Sequence, residues 1–282
     1  MTAESSAATA PARTWRYWTE PAWLTADGVR VGYRREGSGD TLLYLHGAGL
    51  TRQWLPLYAA LARSFDVIVP EQPGFGDTEL PDHIVSFDDL VLHYDAVLRT
   101  LGTGRVHLVG HSMGGWLAAD LAVTYPERFA SLTLLAPMGL RTPETPMADP
   151  FRWSETQADH AVFSGTAGHY LEYLQQEGEL EDYLHEYAEG IAFTRLTWNP
   201  RYDVRLEHRL ARVLAPTRVV HFADDNFIPP ALSARYAELI PGAQLVTLPG
   251  ASGEPASHVA IIQQPEAVAA LMTEHASKYP VG

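Results

Sequence analysis

The chain of 282 residues contains no cysteine, which excludes disulfides and thiolate metal sites together. No apolar run approaches the ~20 residues needed to span a bilayer. Positive charge is also scarce. The 20 basic residues stand against 34 acidic ones, a net charge of −14. Such a surface is repelled by phosphate backbones and anionic headgroups, so neither nucleic acid nor a membrane is expected as a partner. There is no H-E-x-x-H pair and no P-loop, and Gly74-Phe75-Gly76 lacks the third glycine and the following helix of a dinucleotide site. No cofactor and no metal are therefore expected. Internal repeats are absent. Met1 to Thr14 is rich in Ala, Ser and Thr but has neither the basic start nor the apolar centre of a secretory signal, which predicts a mobile tail and a cytoplasmic location.

What the chain does contain is Gly110-His111-Ser112-Met113-Gly114, placed between the apolar run Val106-His107-Leu108-Val109 and the helix-like stretch Trp116 to Tyr125. That pattern reads as strand, sharp turn and helix, with a serine at the apex. Side chains at Gly110 and Gly114 would clash in so tight a turn, and the strain lifts the serine hydroxyl clear of the backbone. Since G-x-S-x-G arises by chance in roughly one chain in ten of this length, its surroundings must decide. Three further stretches supply them. Leu42-Leu43-Tyr44-Leu45 runs into the small-residue loop His46-Gly47-Ala48-Gly49, and Val219-Val220-His221-Phe222 runs into Ala223-Asp224-Asp225-Asn226-Phe227-Ile228-Pro229. His258 comes last, before Pro265-Glu266. Nucleophile, acid and histidine in that chain order distinguish one of the three known arrangements of the triad.

These motifs, with the Pro73-Gly74-Phe75-Gly76 turn, resemble the α/β-hydrolase family, in its capped, esterase-like serine branch, from about Trp23 to the final helix. The resemblance implies an α/β-hydrolase fold: a mostly parallel eight-stranded sheet flanked by helices, with a helical cap insertion. It places the nucleophile on Ser112, the acid on Asp225 and the base on His258, and the oxyanion donors on the backbone N–H groups of Ala48 and Met113. The chain departs from the pattern in three places. Phe222 stands where a glycine is usual, Ser257 precedes His258 where a glycine is usual, and the loop Gly250 to Ala256 is lengthened, which makes it a candidate for movement.

Chemistry leads to the same residues. A serine hydroxyl needs a base within hydrogen-bond reach, and that base needs an acceptor behind it to hold its tautomer. Of twelve histidines only His258 and His275 lie beyond the acid motif, and His275 is expected to face outward from the helix predicted over Ala267 to Ala276. Asp225 fits the spacing to Pro229, while the adjacent Asp224 could accept the same N–H. One of the two is expected to face solvent or to cap the next helix. Met113 opens a helix, where free N–H groups and the helix dipole favour developing negative charge. His46, His111, Met138, Phe227 and Val259 are expected to line the substrate pocket.

Strands are predicted near Arg30-Tyr33, Thr41-Leu45, Asp66-Val69, Val106-Val109, Leu132-Leu135, Arg218-Phe222 and Gln244-Leu248. Helices such as Ser86 to Leu101 and Leu232 to Ile240 alternate with them, which argues for a mostly parallel sheet. The alternation stops between Gly139 and Arg212. The expected organisation is a tail over 1–14, a core formed by 15–138 and 213–282, and a helical cap over 139–212. The cap's aromatic stripe, Tyr170-Tyr173-Leu174 and Tyr183-Tyr187-Ile191, either packs cap helices together or lines the pocket. The acidic run Glu177-Gly178-Glu179-Leu180-Glu181-Asp182 reads as a solvated helix start and not as a metal site.

The reading is a cofactor-free serine hydrolase acting on a small-molecule carboxylic ester or lactone with an apolar acyl part. The alternative is hydrolysis of a carbon–carbon bond in a vinylogous diketone, which Ser112-Met113-Gly114-Gly115 and Trp116 also resemble. That subfamily usually carries Asn where His111 stands and an aromatic where Val259 stands. Perhydrolase or haloperoxidase-like activity would use the same triad, and a ligand receptor without turnover could use the same fold. The oligomeric state is left open by the sequence.

Overall fold

The runs Leu42–Leu45 and Val106–Val109 carry almost no polar alternation, which suits strands covered on both faces. In the computed structural model both lie in the middle of one sheet. Residues 17–174, 180–199 and 201–282 are described, the side chains of 181 and 182 excepted. The predicted tail and the start of the acidic run, Glu177 to Glu179, fall outside the described residues.

The strands are β1 (Ala22–Ala26), β2 (Val29–Gly37), β3 (Thr41–Leu45), β4 (Asp66–Pro70), β5 (Val106–His111), β6 (Phe129–Leu135), β7 (Thr217–Phe222) and β8 (Gln244–Leu248). They pair in the order β1-β2-β4-β3-β5-β6-β7-β8, antiparallel on either side of β2 and parallel elsewhere. Between and after them run the helices α1 (Pro56–Leu61), α2 (Phe87–Thr100), α3 (Met113–Thr124), α4 (Glu155–Ala158), α5 (Leu180–Thr197), α6 (Val204–Arg209), α7 (Pro230–Leu239), α8 (Ala260–Gln263) and α9 (Pro265–Ala276). No helix among the described residues is long and apolar enough to cross a membrane.

Strand β1 escapes the sequence pattern because it is a half-exposed edge that depends on β2 for its pairing, with Trp23 lying under the guanidinium of Arg30. The edge strand β8, by contrast, has the predicted bounds. Helix α3 is buried on every side from Met113 to Val123, which fits a segment apolar all round. Ser86 caps α2 by accepting from the Asp89 N–H. His275 does not face outward: it is buried on α9 and its Nε2–H donates to the Pro216 carbonyl, 3.1 Å away, because α9 lies against the sheet with that face inward.

After β6 the chain leaves the sheet and returns at β7. The segment between holds α4, a π-helical turn at Asp159–Phe163, a 3-10 turn at Ala167–His169, and then α5 and α6. Tyr170 and Tyr173 are buried, but on turns instead of a helix, and Tyr173 stacks on Tyr17 at 4.6 Å. The α5 stripe takes neither of its two expected positions. Tyr183, Tyr187 and Ile191 are all exposed, and the helix buries Ala192 and Leu196 instead.

The exit from β6 is sharply determined. Gly139 has φ +106°, and a Cβ there would sit 2.4 Å from the Trp116 ring, which is itself stacked on Phe87 at 3.7 Å. Trp116→Ala is expected to cost about 3–5 kcal/mol, and Gly139→Ala should lower the same midpoint through backbone strain and overlap. Urea unfolding followed by tryptophan fluorescence and circular dichroism measures both.

Candidate active site

The serine turn is built by close backbone approach. Ser112 has φ 56° and ψ −118°, a conformation that L-residues avoid. A Cβ on Gly110 would lie 2.2 Å from the Gly114 carbonyl, and one on Gly114 would lie 2.2 Å from the Leu45 carbonyl. Only hydrogen fits at either place. The turn's own polar groups are satisfied: Ser112 N–H donates to Leu135, and its carbonyl accepts from Gly115, Trp116 and Met138.

Three loops at the carboxyl ends of the strands bring the other groups to this serine. His258 Nε2 lies 2.9 Å from Ser112 Oγ, and its Nδ1 lies 2.8 Å from Asp225 Oδ2. The second carboxylate oxygen, Oδ1, accepts from the Phe227 and Ile228 N–H groups, each at 2.8 Å. Asp225 is thus gripped by its own loop, and with Nδ1–H facing Asp225 the histidine presents an unprotonated Nε2 to the serine. Asp224 is exposed and elsewhere engaged. Its Oδ2 accepts from Ala256 N–H and its N–H donates to the Ala256 carbonyl, tying the lengthened loop to the end of β7. That loop is held again by Ser257 on the Val162 carbonyl and Tyr170 on Glu254, both bonds from the β6–β7 insertion.

Two more histidines brace the site as neutral rings. His46 Nε2 accepts the Gln72 N–H at 2.9 Å, so its Nδ1–H donates to the Gly47 carbonyl at 2.6 Å and anchors the Gly47-Ala48 loop. His111 donates Nε2–H to the His258 carbonyl at 2.9 Å, and its ring centre lies 4.9 Å from that of His258. Burial lowers the pKa of His46 to about 4 and of His111 to about 3, the nearby His258 adding to the second shift.

Ser112 and His258 open onto a cavity of about 310 Å³. His46, His111, Phe227 and Val259 line it, as does Ala48. Met138 does not. It is buried beneath the turn, where its N–H supports Ser112 and its carbonyl accepts the Tyr236 hydroxyl, because the chain doubles back under the serine after β6. Met113, at the first position of α3, is fully buried, and its N–H precedes any intrahelical acceptor. Trp153, Phe163 and Phe193 from the insertion cover the cavity.

The sequence reading missed Arg52 and Glu189, which also line the cavity. Arg52 is buried with φ 45°, donates Nη2 to Asp77 at 2.6 Å, and keeps Nε and Nη1 without a hydrogen-bond partner among the described residues. Glu189 accepts from Gly76 N–H at 2.8 Å and from the Thr51 hydroxyl, and burial raises its pKa. Arg52 follows the small-residue loop in no recognised motif. Glu189 lies on the side of α5 opposite its apolar stripe, which sequence logic assigns to solvent.

Because His111 binds a proton in the unfolded chain near pH 6.5 but in the folded chain only near pH 3, folding is weakened as pH falls between those values. Going from pH 7.5 to 5, His111 alone should remove about 2 kcal/mol of stability. His111→Asn is therefore expected to lose about that much less than the wild type over the same interval, as read from urea midpoints at the two pH values.

The geometry sets the comparisons with known proteins in context. Residues 42–271 match the family described as the alpha/beta hydrolase family. A 2-hydroxy-6-oxononadienedioate/2-hydroxy-6-oxononatrienedioate hydrolase of Burkholderia vietnamiensis is 32% identical over 77% of this chain and 82% of its own. A 2-hydroxy-6-oxo-6-(2'-aminophenyl)hexa-2,4-dienoic acid hydrolase of Metapseudomonas resinovorans is 25% identical over 86% of each chain. Among solved structures, a meta-cleavage product hydrolase from Pseudomonas fluorescens superposes with a TM-score of 0.73 at 22% identity, over 92% of this chain and 98% of that one. A serine, a histidine and an aspartate in hydrogen-bonded series at the strand ends of a mostly parallel sheet accord with these likenesses, and the chain belongs to the alpha/beta hydrolase family.

Proposed function

We propose that the protein is a cofactor-free serine hydrolase that cleaves a carbon–carbon bond in a 2-hydroxy-6-oxo-2,4-dienoate. The observation that carries this reading is that two relatives covering most of the chain are named for that substrate class. The ester that composition and motifs suggest first thus becomes the second reading. In the proposed roles Ser112 is the nucleophile, His258 the base, and Asp225 the acceptor that orients it. Ala48 and Met113 N–H groups hold the oxyanion, and residues 139–212 form the cap.

The dienol first tautomerises, a proton arriving at C5, to a 2,6-dioxo-3-enoate, which is a vinylogous diketone. Ser112 Oγ then bonds C6 while its proton passes to His258 Nε2. The C5–C6 bond breaks, its electron pair spreads through the enone to the 2-oxo oxygen, and the resulting dienolate takes the proton from His258. Water, deprotonated in turn by His258, releases the acyl group from Ser112. The neutral His111 helps here, since a charged ring so close to His258 would oppose the imidazolium that each step forms. The buried Arg52, lining the same cavity with Nε and Nη1 without a partner among the described residues, supports binding of the substrate's carboxylate.

Ester or lactone hydrolysis is favoured by His111 and Val259, which replace the asparagine and aromatic usual in carbon–carbon hydrolases. The two reactions part in one experiment. With 2-hydroxy-6-oxohepta-2,4-dienoate, loss of dienolate absorbance is expected to proceed with higher kcat/KM than release of p-nitrophenol from short acyl esters. Ser112→Ala should lower both by at least about a thousandfold. Fast ester turnover with the dienoate untouched would establish the second reading.

The two aspartates should differ sharply in the same assay. Asp225→Asn removes the acceptor that sets the His258 tautomer and is expected to lower kcat by about 10⁴-fold. Asp224→Asn leaves that bond intact, and its kcat should stay within about tenfold of wild type.

A further inference from the structure

We propose that the π-helical turn Asp159–Phe163, with Ser164 at its end, clamps together the loops carrying Asp225 and His258, and that Ser164 and Ser257 are positioning residues for that pair. The inference rests on the roles assigned above to Ser112, Asp225 and His258, and not on which bond the protein cuts.

The bonds fall on the chain neighbours of both groups. Ser164 Oγ donates to the Asp224 carbonyl at 2.6 Å and accepts from Asn226 Nδ2 at 3.1 Å, so it grips the chain on either side of Asp225. Asn226 Nδ2 also donates to the His160 carbonyl at 3.2 Å. Ser257, directly before His258, donates to the Val162 carbonyl at 2.8 Å. His160, Val162 and Ser164 thus hold Asp224, Asn226 and Ser257 from one short turn. Aromatic rings follow the same route from the insertion. Trp153 meets Phe227 edge to face at 5.1 Å, and Phe227 meets the His258 ring at 4.8 Å.

Both serines stand where glycine is the easier residue. Ser164 ends the turn at φ 54°, a left-handed position that glycine fills at least cost. Ser257 replaces the glycine usual before the histidine of this family. At each place the backbone forgoes that ease, and the hydroxyl it gains bridges the insertion to a loop of the triad.

The turn suits this task. Val162 lies at its end, where carbonyls find no partner within a helix and accept from outside. The Ser257 hydroxyl has a second acceptor in Gln263 Oε1, also at 2.8 Å, an oxygen held in place by the Ser257 N–H at 2.9 Å. Its one proton can turn to either. Withdrawal of Val162 therefore leaves no orphaned donor in the core, and the clamp can open at little cost. Val162 and Phe163 also line the cavity, so the wall that meets the substrate sets the spacing of acid and base.

Ser164→Gly removes one hydroxyl while easing the backbone, and Ser257→Ala removes the other. Each is expected to lower kcat for p-nitrophenyl acetate and for 2-hydroxy-6-oxohepta-2,4-dienoate by about 10- to 100-fold, with KM within about threefold. Thr142→Ala, which deletes a hydroxyl bond elsewhere in the insertion, should stay within about twofold of wild type. The proton on the His258 ring separates positioning from mere support. Read by nitrogen NMR at about pH 8, the Nδ1–H tautomer should dominate in the wild type and give ground to Nε2–H in both variants, as Nδ1–H loses its acceptor. Variants that keep the wild-type kcat and tautomer would overturn the proposal. So would a fall in kcat with the tautomer unchanged, or one matched by an equal loss of folded protein in circular dichroism. Ser164→Gly decides alone should Ser257→Ala fail to fold. Activity that survives Ser112→Ala would unseat the nucleophile and leave the clamp to the His258 tautomer, which needs no turnover to be read.

Discussion

The contact between Gly114 and the carbonyl of Leu45, where a methyl group would come within 2.2 Å, is the constraint on which the rest of the site depends. It lets α3 start directly over the end of β3, so the serine turn and the small-residue loop after β3 share one corner of the sheet. A residue at positive φ, of the kind Ser112 adopts, carries of order 1–3 kcal/mol of strain and persists only where its surroundings over-determine it. Here Leu135 takes its N–H, and Gly115, Trp116 and Met138 take its carbonyl. The strained apex is thereby fastened to the neighbouring strand and to the chain beneath it.

Around this apex, histidines divide the work by protonation. His46 and His111 are buried and neutral, each with a tautomer decided by a backbone group, and they act as struts for the loops carrying Ala48 and His258. His258 differs in its partners: a carboxylate on one ring nitrogen and a hydroxyl on the other. One ring thus stands between an acceptor and a hydroxyl while burial keeps the two beside it uncharged. Asp225 contributes to this order through a grip on its own loop, so its position is settled before the histidine reaches it.

Helix α5 shows how a correct pattern can be assigned to the wrong side. Its spacing of Tyr183, Tyr187 and Ile191 marks an amphipathic helix, and the helix is there, but the side it buries holds Ala192, Leu196, Phe193 and a glutamate. Periodicity reports that two sides differ. It does not report which of them the fold covers, because that depends on what the core has already placed opposite. Glu189 is tolerated inward because Thr51 and the Gly76 N–H meet it there. The same reasoning explains His275, whose side of α9 is turned to the sheet by the packing of α9 on α1.

By itself the sequence determined the strand–turn–helix carrying Ser112, the chain order of Ser112, the aspartate pair and His258, and the strands of the central sheet. These are local consequences: glycines at positions of close approach, apolar runs too continuous to face water, and loops following strands at set distances. The tertiary structure alone decided between Asp224 and Asp225, since adjacent carboxylates differ only in what reaches them: Ala256 for one and His258 for the other. It alone drew Met138 under the turn and out of the cavity, and brought Arg52 and Glu189 into it. Edge strand β1 likewise exists through its pairing with β2. In each case the deciding partner lies far along the chain, and no local propensity encodes a contact whose other half arrives only when the fold closes.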